Sequence, residues 1–494
     1  MKKILCVATA ILCGWIMNSH GANRYWVSAS ASTWNLAANW SATSNGVGGV
    51  GVPVTGDSVY FTASANGNCQ IDLSPVTIGL LSVNGYTGHL DGATLNPDVT
   101  VTGSVTFASG NNGTNSLGGG TWTIGGSFDY IAMGSGTGRA MIPGVSTVVM
   151  TGTNVSLKAV YTMTLCNLMI ASNAVVTNNG TSTSYLMVTN NMDVYGTIIS
   201  LANATRIQPN RLRVHSSGRV TGSGLIYLKN SYGIQLLEPG SVVDLDTIQF
   251  VSDNTTPGYI VPGHYQATNL LFWGETYAAT WKMTNGVYDI DGSIWMHQNN
   301  AAGAVTLDCT AAVVRVGGNL TNSMAAGVTT NKSCFLGAVT LTGTTDRVVD
   351  LNTLTNQPAI TVAMSGGTVK LLSGVSNASF TATGGNLNFN GKSVRTSGNL
   401  TIGSNAQVVG TSLNGSVITV GGNLSLAGKP DSFLDLHASA PWTLSVAGTG
   451  TAVYVEVAYS DASGGSSITA SSSRDRGHNV NWLLPATGSV LIVQ

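Results

Sequence analysis

Charge is what this chain most lacks. Asp, Glu, Lys and Arg make up 8% of its 494 residues, against roughly 25% in an ordinary globular protein. The 20 basic and 21 acidic residues nearly cancel, so there is no broad cationic face for a nucleic-acid backbone. A net charge of −1 with 43% hydrophobic residues also excludes disorder driven by charge repulsion. Heptads of Ala, Leu, Glu and Lys are missing, which excludes coiled coils and bundles, and glycine does not recur at every third position as in collagen. There is no Walker loop, HExxH, GxSxG or EF-hand pattern. The six cysteines form neither a CxxC nor a Cys/His metal signature.

One apolar run stands near the start. Lys2 and Lys3 precede Ile4 to Ile16, and the small residues Ser19, Gly21 and Ala22 follow. This reads as a secretory leader, cleaved after Gly21, with an apolar stretch too short to span a bilayer. Neither Cys6 nor Cys13 sits in a lipobox. The expected mature chain keeps 18 basic and 21 acidic residues, a net charge of −3, too weak to dictate a partner. It is expected outside the cell, with no membrane span after cleavage. Of the four remaining cysteines, Cys309 and Cys334 are the nearest pair along the chain; the alternatives are a disulfide and small buried hydrophobes.

Short alternating runs rich in Val, Ile and Thr recur between Gly and Asn residues, among them SVTF at 104–107, TWTI at 121–124, AVTL at 338–341 and NLTI at 399–402. Such period-two alternation marks half-buried strands, and no helical pattern follows the leader. The chain is therefore read as all-β. Gly-Gly, a small polar residue and an apolar residue recur at Gly125–Phe128, Gly317–Leu320 and Gly421–Leu424. A Gly-Thr follows each at a nearly constant separation, at Gly152, Gly343 and Gly448, and Cys309 and Cys334 stand the same distance apart. A period of about 23 to 26 residues with three short strands predicts one coil of a parallel β-helix with capped ends. A chain of β-sandwiches is the alternative, kept open by the long step from Gly318 to Gly422, the size of one such domain.

Both ends resemble bacterial exported β-helix proteins related to autotransporter passengers and autotransporter-associated β-strand repeat proteins. The matching N-terminal residues are Trp26, Trp34, Asn39, Trp40, Ser41, Val52, Pro53, Gly56, Asp57, Val59 and Phe61. At the other end they are Ser460, Asp461, Ala462, Ser463, Gly464, Gly465, Asn481 and Trp482. No amphipathic strand series for an outer-membrane barrel follows Trp482. The resemblance implies a surface or matrix solenoid. A solenoid leaves an unpaired sheet edge at each end, so Trp26, Trp34, Trp40 and Trp482 are expected to close them. The expected organisation is a leader at 1–21, a Trp-rich cap and first coils at 22–100, repeats at 101–456 with an aromatic-rich lateral region near 255–300, and a last coil, cap and tail at 457–494.

Candidate chemistry concentrates between Asp244 and His297. Residues at i and i+2 share one strand face, so Asp244 with Asp246, and Asp289 with Asp291, form two acidic pairs about two coils apart. Paired carboxylates suit glycoside hydrolysis or calcium, while Tyr259, Trp273, Trp281 and Trp295 suit sugar stacking. The bland alternative is solvated acids on turns beside a lateral insertion. A basic stretch at Arg206, Arg211, Arg213, Arg219 and Lys229 reads as a solvated face or a contact for anionic glycan. Leu484–Gly488 spells a sortase pentapeptide, but without the following span and basic tail it reads as a chance match. GSVLIVQ at the end is β-prone. The leading expectation is a non-catalytic structural or adhesive protein that needs no cofactor and associates with itself or with cell-surface glycans. A carbohydrate-active enzyme is the alternative.

Overall fold

The computed structural model describes residues 21–108, 115–131, 141–160, 162–180, 185–201, 206–230 and 236–485. The expected leader up to residue 20, the end of the pentapeptide and the GSVLIVQ tail lie outside the described residues. Strands make up 57% of the described residues, wound as a parallel β-solenoid of about 16 turns. Among the described residues no helix is long and apolar enough to cross a membrane.

The chain divides into two compact units, Met1–Ile142 and Pro143–Gln494. In the first, Val59 pairs with Leu81, Leu81 with Val105 and Val105 with Phe128, all in parallel register. In the second, Leu270 pairs with Ile294 and Ile294 with Leu320, steps that keep the expected period. That period does not hold throughout. The step from Leu320 to Val349 is longer, and those from Phe380 to Leu400 and from Gly450 to Ile468 are shorter. The strands and their inward columns stay in step while the corners between them lengthen or shorten. The parallel register also removes the β-sandwich alternative, since antiparallel hairpins would be required.

Each coil in the middle of the second unit carries three strands. Gly258–Ile260, Gly263–Tyr265 and Asn269–Gly274 make one coil, and Ala279–Met283, Gly286–Ile290 and Ser293–Gln298 the next. Alternate side chains point inward, so Leu270 and Phe272, then Ile294 and Met296, are buried above one another. Phe250 and Phe272 stack with ring centroids 4.9 Å apart.

The Gly-Gly motif has a steric cause. A Cβ on Gly126 would lie 2.4 Å from the carbonyl carbon of Gly103, and one on Gly318 would lie 2.3 Å from that of Gly292. Glycines thus fill a corner where successive coils approach backbone to backbone. The small polar residue that follows is a cross-coil acceptor. Ser293 Oγ accepts the Asn319 N–H at 3.0 Å, and Asn319 Oδ1 accepts that of Val348 at 2.8 Å. Asn399 Oδ1 accepts the Asn423 N–H and Asn423 Oδ1 the Thr449 N–H, both at 2.9 Å. In the first unit Ser104 Oγ accepts the Ser127 N–H at 3.1 Å.

At the start of the first unit, Trp26, Trp34 and Trp40 are buried around Phe61. Trp26 and Trp40 meet edge to face at 5.3 Å, Trp34 and Trp40 at 4.8 Å. Trp40 pairs antiparallel with Trp26 on one side of Asn23–Trp26, while Ser58–Thr62 pairs parallel with that strand. Asp57 accepts backbone N–H groups from Ala22 and Val54 and pairs with Arg24 at 3.1 Å, which explains its place after Gly56 at φ +89°. In the last coils of the second unit, Trp482 is half-buried and donates to Ser460 Oγ at 3.0 Å. Asn481 donates to the carbonyls of Ala462 and Gly465.

Cys309 and Cys334 are free thiols. The register sets Cys309 opposite Gly337 and Cys334 opposite Thr306, an offset along the strand of about 10 Å, beyond the reach of a disulfide. Burial pushes the Cys309 thiol up to about 12.

Candidate functional site

The sequence-selected residues distribute over three strand faces of the same coils in the second unit. Trp281 points inward from Ala279–Met283, is 0% exposed and meets Phe250 edge to face at 5.1 Å. Gly258 opposes it in register and leaves room for the indole, since a Cβ there would lie 2.4 Å from Trp281 Cε3. Trp281 is therefore interior packing and touches no outer surface. Tyr259 is exposed but lies on this first face, beside Lys282 in the register.

The aspartates share the second face. Register places His264 beside Asp289 and Asp289 beside Arg315. Asp289 takes a hydrogen bond from Arg315 Nη1 at 3.1 Å, and Asp291 pairs with His264 Nε2 at 2.9 Å. These groups, with Gly317 and Thr342, line an open groove of about 490 Å³. Asp244 and Asp246 are exposed on the same strand. Gln266 follows Asp244 one coil on and Asp291 follows Gln266, with N–H bonds to Val243 and Tyr265 carbonyls fixing that order. Asp244 and Asp291 are thus two strand layers apart, about 9.5 Å. No group of three or more His, Cys, Asp or Glu is placed to hold a metal ion among the described residues.

The third face is unlike the others. Its outward positions form two columns across successive coils, Tyr227–Gln249–Leu271–Trp295–Thr321 and Lys229–Val251–Trp273–His297–Ser323. Trp273 and His297 stack at 4.3 Å, and Trp295 meets His297 at 6.1 Å with planes 74° apart. Ser323 Oγ accepts the Trp295 Nε1–H at 2.8 Å and lies 2.8 Å from His297 Nδ1. Val251 and Leu271 hold outward positions in the same columns yet are 0% and 7% exposed, beside Trp273 and Trp295 in the register. Lys229 pairs with Asp253 at 3.3 Å, and the Tyr227 hydroxyl donates to Glu275 Oε2 at 3.2 Å from two coils away. Desolvation, then Glu275, drives the Tyr227 phenol well above its ordinary range. Burial lowers the His297 imidazole and favours its neutral form.

The structure brings Trp273 and Trp295 together and leaves Tyr259 and Trp281 elsewhere. His297, Tyr227 and Ser323 complete the face, and their membership depends on which residues oppose one another between coils. The basic stretch does not gather into one patch. Arg213 meets Asp193 at 3.8 Å, Arg206 lies over the Tyr185 ring at 5.7 Å, and Arg219 begins a different strand. Nearby, His215 is held between Glu238 at 2.8 Å and Asp193 at 3.3 Å, with Tyr195 stacked on its ring at 3.7 Å. Each group comes from a successive coil, so the trio is a staple across the solenoid.

No protein-family model, no curated protein and no solved structure matches this chain.

Proposed function

We propose that this protein is an exported, non-catalytic β-solenoid that serves as a structural or adhesive component outside the cell and holds glycans on its third face. The observation that carries the reading is the outward pair Trp273 and Trp295, fixed by His297 and Ser323 on a sheet. Outward positions of other coils hold small polar residues such as Thr401, Ser425 and Thr451. Fixed aromatic rings beside hydrogen-bonding groups bind at little entropic cost. The leader-like N-terminus supports export, and the resemblance of both ends to exported β-helix proteins supports a surface location.

The test is retention of the protein by immobilised polysaccharides together with an assay for new reducing ends. Retention without new ends is expected; depolymerisation would replace the reading with an enzymatic one. A second reading has its own observation. Asp244 and Asp291 lie on one strand face two layers apart, with the groove at Asp289 and Arg315 on the same face, and glycoside hydrolysis uses two carboxyl groups that flank one bond. In that case Asp291→Asn would abolish the release of reducing ends while the fold persists.

A further inference from the structure

We infer that the third face takes an uncharged chain of pyranose sugars with equatorial substituents, of the β-linked glucose or N-acetylglucosamine type, and this rests on the glycan-holding reading above. Shape is the first argument. Trp273 and Trp295 are diagonal neighbours on adjacent coils, about 7–8 Å apart at the backbone. Their rings make a corner with the His297 plane, 28° from Trp273 and 74° from Trp295. A pyranose with equatorial hydroxyls presents flat faces of axial C–H bonds that pack against an indole, while its rim of hydroxyls points sideways. An axial substituent would lift the ring off the aromatic surface.

Charge is the second argument. Lys229 is matched by Asp253, Glu275 holds the Tyr227 hydroxyl, and His297 is biased toward its neutral form. A uronate or sulfated chain finds no unmatched cation on these columns among the described residues and meets the Glu275 carboxylate. The hydroxyl rim of a neutral sugar can instead exchange hydrogen bonds with Glu275, Asp253 and Lys229. The third argument is preorganisation. Ser323 orients Trp295 and His297 at once, and His297 backs Trp273, so few rotamers are frozen on binding.

Affinity electrophoresis of the full chain tests this, in gels containing hydroxyethylcellulose or glycol chitin as neutral probes and alginate or dextran sulfate as anionic ones. Neutral gels are expected to retard the native protein more than anionic gels. Trp295→Ala and Trp273→Ala should each weaken neutral binding about tenfold, the loss of one aromatic contact. Ser323→Ala should weaken it severalfold while keeping both indoles, and Asp289→Asn on the neighbouring face should leave it unchanged. Circular dichroism and melting establish that each variant is folded. Neutral binding unaffected by the three face variants, or binding lost only in Asp289→Asn, overturns both the inference and the placement of glycan on the third face. Preference for the anionic gels that the three face variants abolish overturns the inference alone and leaves the glycan-holding reading standing. Failure of every gel to retard the native chain defeats the reading as well.

Discussion

Trp281 and Trp295 look alike in the sequence and have opposite fates. The difference was legible in parity. Trp281 alternates in step with Ala279 and Met283, which are buried, whereas Trp295 alternates with Ser293 and His297 while Ile294 and Met296 turn inward. Strand periodicity could therefore have assigned Trp281 to the core. It could not have found Tyr227, which comes near Glu275 only because coils stack. Trp281→Ala is expected to cost about 3–5 kcal/mol by leaving a cavity, seen as a lower denaturation midpoint, with sugar binding kept in the protein that remains folded. Gly318→Ala is expected to cost about 1–3 kcal/mol through overpacking, because the new methyl would meet backbone of the previous coil. Gly327→Ala, with open space but φ +89°, should cost about 1–2 kcal/mol from backbone strain alone. Chemical denaturation of the two variants separates crowding from strain.

At the scale of the strand and coil, the parallel arrangement and the three-strand turn were legible because the corner glycines repeat. Coil length was less so, since a loop such as 325–333 adds residues without disturbing the register on either side. The two-coil separation of the acidic pairs was also legible, but the cations facing them were not. Arg315 and His264 join Asp289 and Asp291 only across coils. The last coils carry a comparable clamp. Glu456 accepts hydrogen bonds from Arg476 and Arg474 at 2.8 and 2.7 Å, and the Arg476 bond is the largest effect holding its carboxyl below the ordinary range. A depressed carboxyl contributes stability above its unfolded value, near 4.3, and loses it as pH falls through the folded value. The Glu456→Gln protein should therefore be less stable than the native one at pH 7, by under about 1 kcal/mol for a partly exposed clamp. The difference between the two proteins should close as pH falls through the depressed folded value; a difference that persists in still more acid solution would mean that Glu456 acts through packing.

At the scale of the molecule, scarcity of charge is the property most plainly written in the composition and the one that position-by-position motifs miss. With a net charge of −1, little electrostatic repulsion opposes association. Light scattering over a concentration series at neutral pH should show association that changes little between low and high salt; strong suppression by low salt would mean that repulsion governs it. The corner ladder adds a direction. At Ser104, Ser293, Asn319, Asn399 and Asn423 the accepting oxygen belongs to the earlier coil and the N–H to the later one. A finished coil therefore displays a prepared docking point for the residues that follow it in the chain. Winding can run from the N-terminal side toward the C-terminal side, each layer serving as the template on which the next is laid.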